Sequence, residues 1–145
     1  HKKLSDAKQL IELKQKADTN AKIGTEFLKA NAQKNGVQTT KSGLQYQILK
    51  QGTGKSPKAN SVVKVNYEGR LIDGTVFDSS IARNQPAEFQ VSQVIQGWTE
   101  GIPYFNEGGE GILLIPYQLG YGINNYNGIP GGSALVFDIK LLKVN

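Results

Sequence analysis

The stretch "SVVKVNYEGRLIDGTVFDSS", Ser61–Ser80, decides how this chain reads. Val63, Val65 and Tyr67 alternate with other residues, which sets them on one face of a strand. Asp73-Gly74 is a pair favoured in tight hairpins, and it returns the chain through Thr75–Asp78. The last fourteen residues hold a tyrosine, two aspartates, a phenylalanine and two serines. They pose a choice between a nucleophile with its carboxylate and a device that works without making bonds.

The composition speaks against bond-making. Cysteine is absent, which removes disulfides, thiolate chemistry and thiolate metal sites together. The single histidine is His1, at a terminus expected to fray, so no internal histidine is available as general base or zinc ligand. Ser79 and Ser80 therefore have no base to activate them and are expected to tighten the turn after the strand, while Asp73 makes the hairpin turn. No metal or cofactor is expected.

A chain of 145 residues with 38% hydrophobic and 20% charged content reads as one soluble, globular domain plus some accessory structure. No apolar run approaches the ~18 residues that cross a bilayer. There is no signal-like segment and no methionine, which points to a trimmed or processed chain. The formal charge of +5 lies wholly in residues 1–41, where nine lysines face four acids; in residues 42–145 eight basic and eight acidic residues cancel. A nucleic-acid surface would interleave aromatics with this charge, and the segment has only Phe27, so no nucleic-acid partner is expected.

Two pieces follow along the chain. Residues 1–41 read as a helical arm, with helix from Ser5 as cap to Asn35 and Gly36 as a left-handed stop. Ala7, Leu10, Ala17, Ala21, Gly24 and Leu28 form a heptad-like seam, interrupted at Lys14. Such a helix, ~45 Å long for ~30 residues, exceeds what a compact domain needs. The seam points to homodimerisation through the arm, against folding back on its own domain or serving as a mobile spacer.

Residues 42–145 carry strand signals, after a turn-rich junction "GVQTTKSG" (Gly36–Gly43). Strands are predicted over Leu44–Leu49, Ser61–Leu71, Thr75–Asp78, Ala87–Val91, Glu110–Pro116 and Ala134–Val144, with a loop at Gly52–Asn60. Only Val91–Ile102 looks helical. The expected fold is α+β: a long N-terminal helix, then a curved antiparallel sheet of about five strands wrapped on one short helix. Tyr67, Phe77, Phe89, Trp98, Tyr121 and Phe137 could be ordinary core or could converge on one concavity; Asp78 and Arg83 beside them favour an orienting set in an apolar hollow.

These residues carry a resemblance. "VKVNYEGRLIDGTVFDSS", Arg83 followed by "PAEFQV", "VIQGWTEGI", Ile115-Pro116, "LGYG", "GIP" at 128–130 and "LVFDIKLL" resemble the FKBP-type peptidyl-prolyl cis–trans isomerases in order and spacing, over residues 61–142. The segment "GVQTTKSGLQYQILKQGTGKSP" and the long helix resemble the bacterial envelope branch, the macrophage-infectivity-potentiator and FkpA-like proteins. The resemblance implies a V-shaped dimer joined through N-terminal helices and exported to the periplasm, outer membrane or cell surface, with a lipid anchor conceivable upstream. It implies proline-containing unfolded or exported polypeptides as substrates, and macrolides such as tacrolimus or rapamycin as ligands. It places the catalytic set on Tyr67, Phe77, Asp78, Tyr121 and Phe137, and substrate binding on Arg83, Phe89, Val94, Ile95, Trp98 and Ile129. Trp98 would be the floor, Phe77, Phe89 and Phe137 the walls; Tyr121 and the Ile129 amide would hydrogen-bond the peptide, and Tyr67 and Arg83 would hold Asp78, the fixed acceptor.

The chain departs from the family's pattern in places. Asn66 stands where a histidine is usual, and Gly120 where alanine is common. Pro103, in "PYFNEGG", is expected to end the short helix early and shift the sheet behind Trp98. Gly131-Gly132 replace a proline and a polar residue and are expected to loosen the pocket rim, near which Tyr126 falls. Two other readings stay open: a dimer that chiefly holds unfolded chains, with apolar arm residues as its support, and a module that binds proline motifs without turning them over.

Overall fold

A computed structural model describes residues 2–126 and 128–145, with side chains from residue 11 onward. The arm is a helix, α1, over Lys2–Asn31. Ser5 is thus inside the helix rather than at its cap, and the terminal His1 and the side chains of Ala7 and Leu10 lie outside the described residues. The helix stops four residues before Asn35 for a tertiary reason. Gln45, almost wholly buried, donates through Nε2 to the Leu28 carbonyl at 2.6 Å and accepts from Asn31 Nδ2 at 2.9 Å. A buried side chain from the sheet thus meets the helix end, where the Leu28 carbonyl also accepts from the Ala32 amide at 2.9 Å. Gly36, with φ +85°, turns the chain into the sheet in the left-handed conformation expected of it.

The sheet has seven strands: β1 Val37–Thr39, β2 Gln45–Lys50, β3 Val62–Leu71, β4 Val76–Ser79, β5 Ala87–Gln90, β6 Glu110–Ile115 and β7 Leu135–Val144. All pairings are antiparallel, in the order β1-β2-β6-β7-β3-β4, with β5 beside β4 on the free edge of β3. Strand β1 comes from the junction, whose threonines and glycines gave a turn signal; pairing with Gln45–Gln47 makes it a strand. The short helix α2, Gln96–Gly101, lies on the inner face, preceded by one turn of 3-10 helix at Val91–Gln93. Pro103 does end α2, but a 3-10 turn, Ile102–Tyr104, prolongs it and carries Ile102 and Phe105 into the core. Behind Trp98 the β6–β7 pairing runs unbroken from Glu110–Lys140 to Ile115–Leu135.

The alternation that the sequence shows sorts residues onto two faces. Val63, Val65, Tyr67, Leu113, Ile115, Leu135, Phe137 and Ile139 face the main core with Trp98 and Ile102. Leu114, Ile112, Val136 and Ala134 point outward, and there Phe27 and Leu28 of α1 cover them. The arm seam from Ala17 to Leu28 thus meets its own domain: Ala17 and Leu28 are buried, and Gly24 abuts Ala134. Among the described side chains of α1, Ile11, Leu13 and Ile23 are left in solvent, about half exposed each. No helix among the described residues is long and apolar enough to cross a membrane.

One position in β3 admits no side chain. A Cβ on Gly69 would stand 2.6 Å from the Phe137 ring and 2.7 Å from that of Phe77. Both rings fill the space over this glycine, which fixes their mutual geometry at 5.6 Å and 87°. A Gly69→Ala variant should be destabilised by about 1–3 kcal/mol, the usual cost of forcing a methyl into a packed core, read as a lower denaturation midpoint.

Candidate active site

Strand β3 delivers Tyr67, the strand after the hairpin delivers Asp78, and the loop beyond delivers Arg83. The turn at Ile72–Thr75 is closed by the Leu71 amide donating to the Thr75 carbonyl, by the Gly74 amide donating to the Leu71 carbonyl, and by Asp73 Oδ1, which accepts from the Thr75 amide at 2.9 Å. The serines act structurally, as expected. Ser79 Oγ accepts from the Ala82 amide at 3.0 Å, and the fully buried Ser80 Oγ accepts from the Tyr67 amide at 2.8 Å. Asn66 Oδ1 in turn accepts from Ser80 Oγ at 3.2 Å, so Asn66 helps fix the backbone that carries Tyr67.

The carboxylate of Asp78 is gripped from two sides. Tyr67 donates to Oδ2 at 2.5 Å, and Arg83 forms an ion pair with Oδ1. Arg83 also donates to the Tyr67 hydroxyl oxygen at 3.1 Å and lies 5.9 Å from the centre of its ring. Burial pushes the Asp78 carboxyl up, but the hydrogen bonds from Tyr67 and Arg83 and the guanidinium charge outweigh it and hold it below the usual carboxylate range. Tyr67 is pushed up by burial and by its bond to Asp78, and Tyr121 by burial and the neighbouring Tyr126. Near neutral pH the trio is one anion, one cation and one neutral phenol. It can orient, but it has no proton to exchange.

Beside this trio lies a cavity of about 340 Å³. Trp98, delivered by α2 and 6% exposed, is its floor. Its indole meets Tyr67 at 5.0 Å and 83°, Phe137 at 5.0 Å and 82°, and Phe89 at 5.2 Å and 45°. The first two contacts are edge to face, a preferred arrangement of aromatic pairs, and the third is tilted. The indole Nε1 is buried without a partner among the described residues.

Eight of the eleven residues singled out from the sequence line this cavity: Tyr67, Asp78, Phe89, Val94, Ile95, Trp98, Tyr121 and Phe137. The other three stand behind the wall. Phe77 packs against Phe137 with ring planes 87° apart, and the exposed Arg83 holds Asp78. Ile129 is buried, and its amide donates to the Tyr126 carbonyl at 2.7 Å, so it is already engaged within the loop. The Ile95 amide, at the start of α2, has no acceptor among the described residues and belongs to a lining residue, which makes it the better candidate donor to a peptide.

Ala87, Gln93 and Tyr126 complete the lining. Tyr126 stacks on Tyr121 with ring centres 4.5 Å apart and planes 7° from parallel. Its place near the rim loop of Gly131-Gly132 was its sequence signal; Ala87 and Gln93 carried none, because their place depends on where β5 and the 3-10 turn bring them.

An open aromatic cavity with a clamped carboxylate at its side, on a half-wrapped antiparallel sheet, is a site for gripping and desolvating a substrate rather than attacking it. Comparison with known proteins gives the family. Residues 53–142 match the FKBP-type peptidyl-prolyl cis-trans isomerase family, and residues 1–48 match the domain amino terminal to FKBP-type peptidyl-prolyl isomerase. The chain belongs to the FKBP-type peptidyl-prolyl cis–trans isomerases.

It is 49% identical over 143 residues, 96% of this chain and 53% of the relative, to the FKBP-type peptidyl-prolyl cis-trans isomerase FkpA of Aeromonas hydrophila. It is 47% identical over 126 residues to the peptidyl-prolyl cis-trans isomerase Mip of Coxiella burnetii, covering 86% of this chain and 55% of that one. The crystal structure of FkpA from Escherichia coli superposes with a TM-score of 0.94 at 41% identity, over 97% of this chain and 66% of that chain. The chain spans about half the length of the curated relatives it matches.

The folded Asp78 ionises below its unfolded value, so its contribution to stability is present at neutral pH and is lost as pH falls through the folded pKa, below about 4. Unfolding followed by Trp98 fluorescence should show stability dropping in that acid range. An Asp78→Asn variant should lose that part of the acid dependence.

Proposed function

We propose that this chain accelerates cis–trans rotation about peptide bonds that precede proline. The observation that carries the reading is the cavity itself: about 340 Å³ of space floored by Trp98, walled by Phe89 and Phe137, and open beside the Asp78 clamp. The barrier to turning such a bond is ~20 kcal/mol and arises from amide resonance, which stiffens the C–N bond. Resonance also places negative charge on the carbonyl oxygen, and water stabilises that charge. An amide moved among aromatic rings loses this support, so the twisted, less polar geometry gains on the planar one. A thousandfold acceleration needs only ~4 kcal/mol of this kind.

Within this reading Tyr121 and the Ile95 amide hold the peptide on either side of the prolyl bond, so that rotation is confined to it. Asp78 is a fixed acceptor, kept ionised and immobile by Tyr67 and Arg83. Phe77 acts through Phe137 by holding its ring edge-on. No nucleophile, base, metal or cofactor is required. The substrates would be proline-containing unfolded or exported polypeptides, and the same cavity would accept macrolides such as tacrolimus or rapamycin. The resemblance to FkpA and Mip proteins supports an envelope location, in the periplasm or at the outer membrane.

The isomerisation rate of a Leu-Pro or Phe-Pro test peptide decides the reading. Purified protein should raise it, and Asp78→Ala or Phe137→Ala should each lower the catalysed rate at least about tenfold, or about 1.4 kcal/mol of barrier. An unchanged peptide rate with wild-type protein sinks the proposal. Should Trp98 fluorescence then respond to tacrolimus, the site binds without turnover.

Residues 1–41 are proposed as an arm for dimerisation, and the half-exposed Ile11 and Leu13 are the observation that favours it. Their burial in a second copy would shield aliphatic surface that the domain leaves in water. Sedimentation should give a dimer, and Ile11→Lys with Leu13→Lys should shift it towards monomer. A monomeric wild type would exclude the arm as a dimer contact and with it the reading of a chain-holding dimer.

A further inference from the structure

The arm does more than stand beside the pocket: its middle turns are fastened to the loop that forms the pocket rim. The carboxamide of Asn20 donates through Nδ2 to the Gly131 carbonyl at 3.0 Å, across 111 residues of sequence. The Gly131 amide donates to Asn125 Oδ1 at 2.8 Å, and the Gly132 amide to the Gly122 carbonyl at 2.9 Å. Between them Tyr126 and Ile129 exchange backbone hydrogen bonds of 3.0 and 2.7 Å. Tyr126 then stacks on Tyr121, and both line the cavity. A continuous series of contacts runs from the helix to the pocket wall.

The two glycines that loosen the rim on a sequence reading do the reverse here. Both are buried. Gly132 has φ +78°, and a Cβ on it would collide with the Ala17 carbonyl oxygen and stand 3.0 Å from the Ala21 amide. A Cβ on Gly131 would collide with the Ile123 carbonyl. The absence of a side chain on Gly132 lets the rim backbone lie directly on the helix backbone at Ala17 and Ala21, and its absence on Gly131 lets the loop pack on itself at Ile123. A loop held only at its ends would sample many positions; one hydrogen-bonded at its centre to a helix loses that freedom before substrate arrives.

From this we infer that helix α1 is the scaffold of the active-site rim, and that Asn20 is a positioning residue which sets Tyr126 and Tyr121 for the peptide. The inference rests on the isomerase reading for its effect on catalysis, but the coupling itself can be read without turnover. A rim set in advance lowers the cost of binding and leaves the desolvation of the amide untouched. Loss of the tether therefore acts on KM more than on kcat.

The test uses the full chain with Asn20→Ala, Asn20→Asp and, as a control on the exposed face of the same helix, Lys22→Ala. Alanine is a better helix former than asparagine, so Asn20→Ala strengthens the arm while it removes the tether. Aspartate keeps the shape and replaces the donor by a carboxylate facing the Gly131 carbonyl.

On a Leu-Pro peptide both Asn20 variants should raise KM about fivefold, the effect of one lost hydrogen bond, with kcat within about twofold of wild type. Amide exchange at Tyr126, Ile129, Gly131 and Gly132 should speed up in both Asn20 variants and stay at the wild-type rate in Lys22→Ala. Wild-type exchange at these four amides in both Asn20 variants overturns the coupling. So does an equal change in Lys22→Ala, and so does an unchanged KM. If wild-type protein itself leaves the peptide rate unaltered, the isomerase reading falls alone, and the exchange rates still decide whether α1 holds the rim.

Discussion

The edge-to-face packing of Trp98 against Tyr67 and Phe137 is the constraint on which the rest of this molecule depends. Apolar side chains in a domain of this size ordinarily close on one another until no space remains. Here Tyr67 and Phe137 stand nearly perpendicular to the indole and Phe89 is tilted against it, so the rings already make contact without stacking flat over the hollow. Gly69 removes the one Cβ that would disturb the arrangement from behind, and Phe77 braces Phe137 from the far side. A hollow survives because the residues around it are already in contact with something else.

A hollow lined by aromatics needs a polar element that does not fill it with water. The Tyr67–Asp78–Arg83 cluster meets that need at the margin, where Arg83 is exposed and Asp78 is half-buried. The guanidinium and the phenol hydrogen-bond the carboxylate, which stays ionised beside apolar surface. The serines after it serve the same end from the backbone. Ser80, fully buried, fixes the Tyr67 peptide, and Ser79 tightens the turn that leads to Arg83. The fourteen-residue stretch that looks like a nucleophile with its carboxylate is a mount for a clamp.

The arm shows how one helix can serve two surfaces. Its C-terminal half covers the outer face of the sheet through Phe27 and Leu28 and is locked by Gln45 and Asn31. Its middle lies against the rim through Asn20 and the two glycines of the rim loop. Its described N-terminal portion presents Ile11 and Leu13 to solvent. Small residues in the seam read as room for a partner helix because a heptad pattern records only that something approaches closely. From Ala17 onward the approaching body is the chain's own domain.

The period-two alternation of β3 was legible in Val63, Val65 and Tyr67, and β6 and β7 were legible as strands, β6 burying both Leu113 and Leu114. Their limits fall within a residue or so of those that the sequence implies. The eight cavity residues were legible only through the resemblance of their motifs to a family, since Val94, Ile95, Trp98 and Tyr121 come from α2 and the segments beside it and share no strand register with the rest. What could not be read was anything decided by pairing across long sequence distance. Val37–Thr39 is a strand only because Gln45–Gln47 lies alongside, and α1 ends where Gln45 reaches its carbonyl. The resemblance assigned the Ile129 amide to the peptide, whereas it donates to the Tyr126 carbonyl. The chain's own order of residues determined which groups could build an aromatic site without a base or thiolate. Only the tertiary structure decided which of them face the hollow and which stand behind it, because a hydrogen bond or a ring contact is settled by what lies opposite in space.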